Sequence, residues 1–195
     1  MKKLCAVFWG VMLCILLSSG APGQENSETP TANMKVGTLF DYSGALQEWG
    51  LNFQKGAELA AKQMTAAGFT IEFIHEDSGT DAEIAKKAAE KLILTDNVAA
   101  IIESGSSGVI VPLAKSVTCP NNMLLISPGA TSAFISELPA DKDKDFLFRT
   151  CPSDALQGAV LGNLAAGLYK TASVMYINNP YGQGLAEQFK KSFQK

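Results

Sequence analysis

Short apolar runs and amphipathic stretches alternate along most of this chain, and that alternation restricts it to an α/β fold. Strands separated by helical crossovers pair in parallel, with the helices packed on the sheet faces. The run that anchors the pattern is Leu124-Leu125-Ile126-Ser127-Pro128-Gly129-Ala130-Thr131-Ser132. Its first part is fully apolar, as suits a parallel strand buried on both faces. Pro128 cannot donate to a ladder, so the strand ends there. Gly129 and Ala130 then expose nearly bare backbone, with the Thr131 and Ser132 hydroxyls beside it. In open α/β sheets, ligands bind outside the carboxyl ends of the strands. An ordinary strand and turn has the same residues, so the rest of the chain must decide.

In order, the first strand is expected at Lys35–Phe40, ending in the turn Asp41-Tyr42-Ser43-Gly44. From Gln47 to Ala67, Phe53, Ala57, Ala60, Met64 and Ala67 recur at helical spacing, and Gly68 supplies a left-handed stop. Trp49 falls at the start of this helix, partly exposed beside the turn. Thr70–Glu76 alternates as a half-covered strand. Thr80 and Glu83 fit a capping box, followed by a stripe of Ile84, Ala88, Leu92 and Thr95. Val98–Ile102 is a continuous apolar strand, and Glu103-Ser104-Gly105-Ser106-Ser107-Gly108 leads into a helix over Val109–Val117.

That junction is the second informative place. Unpaired amides at a helix start favour an anion, and the Ser106 or Ser107 hydroxyl can add to them. Serine is also a common helix cap. What raises the site above that reading is its expected neighbour, the Gly129–Ser132 turn at the end of the next strand. The expected sheet has the second strand at an edge, then the first, third and fourth. The turns after Tyr42, Ser104 and Pro128 then share one side.

Beyond a polar loop over residues 133–145, Phe146–Thr150 reads as a further strand. Ser153 and Asp154 cap a helix whose apolar face is Leu156, Val160, Leu164 and Leu168. Ala172–Ile177 reads as a strand and Asn178–Gly182 as its turn, with a last helix over Gly184–Phe193. One strand and two helices make no independent sheet. The sequence therefore reads as the front half of a larger protein.

Met1-Lys2-Lys3, an apolar run over Leu4–Leu17 and a small polar exit match a secretory signal peptide. Cleavage fits after Ala21-Pro22-Gly23 or after Ser18-Ser19-Gly20, and an uncleaved anchor is the alternative. Cys14 lacks the small residue expected before a lipid-modified cysteine. Loss of Lys2 and Lys3 takes the formal charge from −3 to −5. Without basic clusters, nucleic acid and anionic membrane surfaces are poor partners. Cys119 and Cys151 remain in an oxidising compartment, where they can pair, although one precedes a strand and the other follows one.

No G-x-G-x-x-G and no G-x-x-x-x-G-K-[ST] occurs, so a nucleotide lacks its usual cradle. The serine run does not match the G-x-S-x-G elbow. His75, the one histidine, lies within a strand without a ligand partner at metal spacing. A hydrolase or a metal enzyme is therefore disfavoured.

Several motifs fall in order: Asp41-Tyr42-Ser43-Gly44, Trp49-Gly50, Gly56-Ala57, Ser106-Ser107, Ile126–Thr131, Phe148-Arg149-Thr150, Ser153-Asp154 with Gln157-Gly158, and Tyr181-Gly182-Gln183-Gly184. Together they resemble the leucine/isoleucine/valine-type periplasmic binding proteins of bacterial ABC importers, from Met34 to the end. The resemblance implies the type I periplasmic-binding-protein fold, with two Rossmann-like lobes that close on a ligand.

Behind the signal peptide expected over 1–23 and a leader over 24–33, it implies a first lobe over 34–147, a hinge crossing over 148–152, and the start of an incomplete second lobe over 153–195. Ser106 or Ser107 and the Thr131 hydroxyl and amide would hold an α-carboxylate. The Gly129 carbonyl, next to Ala130, and the Thr131 hydroxyl would take the ammonium. Trp49 would line the side-chain pocket and Tyr181 would come from the second lobe. The implied role is non-catalytic capture of a branched-chain or other aliphatic amino acid in the periplasm, for delivery to a membrane permease, by a monomer that needs no cofactor. The alternative is an extracellular sensory domain for small carboxylates or amides.

Overall fold

A computed structural model of the chain describes residues 33–195. The expected signal peptide and residues 24–32 of the expected leader lie outside the described residues. Five parallel strands form one sheet in the order β2-β1-β3-β4-β5: β1 (Asn33–Phe40), β2 (Thr70–Asp77), β3 (Ala100–Glu103), β4 (Leu124–Ser127) and β5 (Leu147–Arg149). The expected order of the first four strands is the observed one, and the 146–150 segment adds the fifth beside β4. Between them run α1 (Gln47–Ala66), α2 (Ala82–Leu94) and α3 (Ser107–Leu113), the last continuing into a π turn (Ala114–Thr118). A 3-10 turn (Ala133–Glu137) follows β4, and α4 (Asp154–Leu168) and α5 (Pro180–Phe193) close the chain.

The two sheet faces differ because their helices differ. The register aligns Gly37 with Ile101, Ile101 with Leu125, and Leu125 with Leu147. Onto this row pack Ala89 and Leu92 of α2 and Ile110 and Leu113 of α3. A Cβ on Gly37 would stand 2.8 Å from Leu92 Cδ1, so glycine there lets α2 lie flat on the sheet. Each fully buried leucine contributes about 2 kcal/mol of apolar transfer, which places the main core on this side. The opposite face carries Phe40 and Phe73 under α1, with Phe40 and Phe53 centroids 6.1 Å apart. Over β3–β5 that face is barer: Ile102 and Ile126 are half-buried and Phe148 is exposed.

Several local expectations need correction. In α1, Gly50 is the buried residue and Phe53 and Ala57 are half-buried, whereas Ala60, Met64 and Ala67 are exposed. The helix docks at its start, and its second half leaves the sheet. The α2 cap is Asp81, whose side chain accepts from the Glu83 and Ile84 amides, and not Thr80. Thr80 has a left-handed backbone (φ 50°) and uses its hydroxyl to accept from the Leu46 amide. The buried stripe is Ala85, Ala89 and Leu92, and Ile84 is exposed.

The expected face of α4 is also turned outward. Leu156, Val160, Leu164 and Leu168 are exposed, and the helix meets α5 through Gly158 and Gly162. A Cβ on Gly162 would come within 2.5 Å of the Phe189 carbonyl oxygen, so the two backbones are in close approach. The segment expected as a strand at 172–177 has no partner strand and is not one; Met175 in it is 98% exposed. An extended segment without a neighbour cannot form a ladder. Helix α5 begins at Pro180, four residues before expectation. Asn179 caps it, accepting from the Gly182 amide at 3.1 Å, and Pro180 starts the first turn without needing an amide partner.

Cys119 and Cys151 are free thiols. Burial, with Asp141 beside it, pushes the Cys119 thiol up to about 11.

Candidate functional site

The carboxyl ends of β1–β4 form one polar platform, cross-tied by side chains. Asp41, at the end of β1, is fully buried and accepts from the Ser78 hydroxyl at 2.5 Å and from the Ser104 hydroxyl. One carboxylate thereby joins the turns after β1, β2 and β3. Asp77 accepts from the Tyr42, Ser43 and Gly79 amides and the Ser43 hydroxyl. Burial pushes its carboxyl up, but these donors outweigh burial and hold it below the usual carboxylate range. Gly50 lets α1 close on this platform, since a Cβ there would fall 2.1 Å from the Asp41 carbonyl oxygen.

The two turns singled out in the sequence are in contact. A Cβ on Gly129 would stand 2.9 Å from Gly105 Cα and 3.0 Å from the Ser104 carbonyl oxygen, so only bare backbone fits. The Ser132 amide donates to the Ser107 hydroxyl at 3.1 Å, completing the join. Ser106 caps α3 in extended conformation, with no side-chain capping bond. Among the described residues, the Ser107, Gly108 and Thr131 amides have no hydrogen-bond acceptor. These three unpaired donors, with the Ser106 hydroxyl, are what an anion needs.

Each expected residue has a definite place. Thr131 is half-buried and its hydroxyl donates to Asp154 at 2.7 Å. That bond uses its proton, so the hydroxyl oxygen is left as an acceptor and only the amide is left to donate. Ala130 faces the core; its amide donates to the Ser127 hydroxyl and its carbonyl accepts from the Cys151 thiol. It therefore holds the turn. Ser107 is buried and Ser106 half-buried. Trp49 is 59% exposed on the first turn of α1, one turn before Phe53. Tyr181 is partly exposed on the first turn of α5. That turn reaches the same end of the sheet: the Ser132 hydroxyl donates to the Pro180 carbonyl at 2.8 Å, and a Cβ on Gly108 would meet Asn179 Nδ2 at 3.3 Å.

Sequence reasoning missed four contributors. Phe53, read as a core position, is the aromatic beside the glycine pair, 3.4 Å from a Cβ placed on Gly129. Arg149 donates to the Thr131 and Ser132 carbonyls and the Ser136 hydroxyl, and so fixes the turn from β5. Asp154 holds Thr131 twice, accepting from its hydroxyl and donating its own amide to the Thr131 carbonyl at 2.8 Å. Glu103 is fully buried beneath the Ser106 amide, which donates to its Oε1 at 3.2 Å. A charged residue ending an otherwise apolar strand was the one signal for Glu103.

A groove of about 860 Å³ lies elsewhere, lined by Val174, Tyr176, Phe189 and Phe193. Lys170, Gln183, Glu187 and Lys190 line it too, and none of the platform residues does.

Comparisons with known proteins bear on the family and the fold. A periplasmic binding protein family model matches residues 33–195. A Leu/Ile/Val-binding protein homologue of Brucella abortus is 31% identical over the whole chain, which covers 50% of that protein. The branched-chain amino acid transporter substrate binding protein of Streptococcus pneumoniae, solved in complex with isoleucine, is 26% identical with a TM-score of 0.66, over 82% of this chain and 46% of that one. A solute binding protein of an ABC transporter from R. palustris, solved in complex with benzoate, is 26% identical with a TM-score of 0.70, over 84% and 45%. The chain spans about half the length of the curated relatives it matches. With the parallel sheet, its flanking helices and the matched span in agreement, the chain belongs to the periplasmic binding protein family.

Proposed function

We propose that this chain carries the carboxylate-holding half of a substrate-binding component of an ABC importer. The observation that supports the reading is the placement of the Ser107, Gly108 and Thr131 amides, left without acceptors among the described residues, on two turns that are in contact at one end of the sheet. These amides and the Ser106 hydroxyl hold the ligand carboxylate. The Thr131 hydroxyl oxygen and the Gly129 carbonyl accept from an α-ammonium, while Trp49, Phe53 and Tyr181 border the ligand side chain. Such a site binds and releases without chemistry, in the periplasm, and hands its ligand to a membrane permease. The protein acts as a monomer.

A branched-chain or other aliphatic amino acid is the preferred ligand, because the Gly129 carbonyl and the Thr131 hydroxyl oxygen supply acceptors for an ammonium. An aromatic carboxylate is the second reading, favoured by the aromatic border of Trp49, Phe53 and Tyr181 and by the benzoate-bound relative. The test is an amide-resolved NMR titration of the chain with millimolar leucine, isoleucine, valine and benzoate. Saturable shifts confined to residues 104–108 and 129–132 support the proposal, and leucine and benzoate are ranked by their dissociation constants. A folded chain whose amides do not respond to any of the four, or respond elsewhere, overturns it.

A further inference from the structure

The Glu103 carboxyl is the one buried acid next to the platform with an unmatched oxygen. Its Oε1 accepts from the Ser106 amide, whereas Oε2 is buried and has no partner among the described residues. Across the sheet Leu39 pairs with Glu103, and Ser127 at the end of β4 pairs with Arg149. Titratable and charged groups on the surrounding elements are Asp41 at the end of β1, Arg149 on β5, the Cys151 thiol after it and Asp154 at the start of α4. Asp41 is itself buried and acidic, Asp154 is committed to Thr131, and Arg149 to the Thr131 and Ser132 carbonyls and Ser136. No described salt bridge reaches Glu103.

An ionised carboxylate in this place leaves charge on an unsolvated, unpaired oxygen beside a second buried acid. The neutral acid leaves only an O–H unmatched, a far smaller cost. We propose that Glu103 carries a proton beneath the ligand site, so that its ionisation and the binding of a carboxylate ligand oppose each other. The proposal rests on the carboxylate-binding reading above. It follows from position: the Ser106 amide that Glu103 holds adjoins the amides that receive the ligand. A ligand carboxylate and an ionised Glu103 would place two negative charges on opposite sides of one turn. Burial, with Asp41 adding to it, pushes the Glu103 carboxyl up to about 8, against the pull of the Ser106 amide. The proton is therefore present at neutral pH and lost just above it.

The test compares the chain with its Glu103→Gln variant. Leucine binding is followed by NMR from pH 6.5 to 9, together with the 13C shift of the Glu103 carboxyl. In the unsubstituted chain the dissociation constant rises on the order of tenfold above pH 8, the scale expected for two nearby charges across protein interior. In Glu103→Gln it changes only as leucine's own amine titrates. The Glu103 carboxyl titrates above pH 7, and at higher pH still with leucine bound. A purely structural role for Glu103 would not produce this difference in pH profile. Parallel profiles for the two proteins, or a Glu103 that titrates near pH 4.5, overturn the inference while leaving the proposed function standing. Failure of leucine and benzoate to bind either protein at pH 6.5 overturns the proposed function, and the inference with it.

Discussion

Gly129→Ala tests the feature on which the platform depends, the contact between the turns after β3 and β4. The new Cβ would lie 2.9 Å from Gly105 Cα and 3.0 Å from the Ser104 carbonyl oxygen. Carbon atoms pack at about 3.5–4.0 Å, so the turns must separate by roughly 0.5–1 Å. Both obstructing atoms are backbone and cannot rotate away. Overpacking of this kind costs about 1–3 kcal/mol. Gly129 is not among the glycines with a left-handed backbone, so alanine also stiffens the unfolded chain and returns about 0.4–1 kcal/mol. The net loss is about 1–2 kcal/mol, or a Tm fall of about 2–8 °C for a domain of this size. Gly56→Ala is the internal control: a Cβ there meets nothing within 4 Å, in the interior of α1. It should raise stability by about 0.5–1 kcal/mol. Urea unfolding of the three proteins decides the matter. If Gly129→Ala is as stable as Gly56→Ala, the turns are not in backbone contact and the amide platform loses its basis.

Thr131→Ala should weaken amino-acid binding by about 1.5–3 kcal/mol, as for hydrogen bonds to a charged group; an unchanged affinity by calorimetry with the fold intact would remove the Thr131 side chain from the site. Glu103 also links stability to pH. Its folded value, raised from 4.5 to about 8, means that the folded state keeps a proton the unfolded chain has lost. Stability should therefore fall as pH rises from about 4.5 to 8, by about 1.4 kcal/mol per unit at most, and Glu103→Gln should flatten that slope in urea melts; parallel slopes would contradict it. Replacing exposed Leu156, Val160 and Leu164 on α4 by Gln should lower dye binding and aggregation of the 195-residue chain with a stability change within about 0.5 kcal/mol; a large loss would show that this face is packed in solution.

The strands were legible because β3 and β4 are short apolar runs closed by turn residues and β2 alternates polar and apolar, and the alternation of strands with helices left few topologies. Asp41-Tyr42-Ser43-Gly44 and Ser127-Pro128-Gly129 marked strand ends at the carboxyl edge of the sheet without any knowledge of contacts. Helix faces were less legible. In α2 the cap is Asp81 and not Thr80, and the small Ala85 is buried where Ile84, the larger neighbour, is exposed. In α4, leucine spacing pointed to burial, but the contact with α5 runs along Gly158 and Gly162, where small size decides. Local pattern also overstated 172–177, since β propensity cannot supply a partner strand. At the site, the turns were foreseen and their supports were not. Asp41 reaches Ser78 and Ser104, and Arg149 reaches Thr131, across separations that no local window spans.

The strand order has a kinetic consequence. Gly37 pairs with both Ile74 and Ile101, whereas β4 and β5 each join the strand made just before them. The docking of β3 on β1 is thus the longest loop closure in the sheet, since it must pass over β2 and α2. Non-local closures of this kind set the rate at which a domain folds. Substitutions that weaken the β1–β3 interface, such as Ile101→Val, should therefore slow refolding. Equivalent losses in β5, such as at Leu147, should leave refolding largely unchanged and appear as faster unfolding.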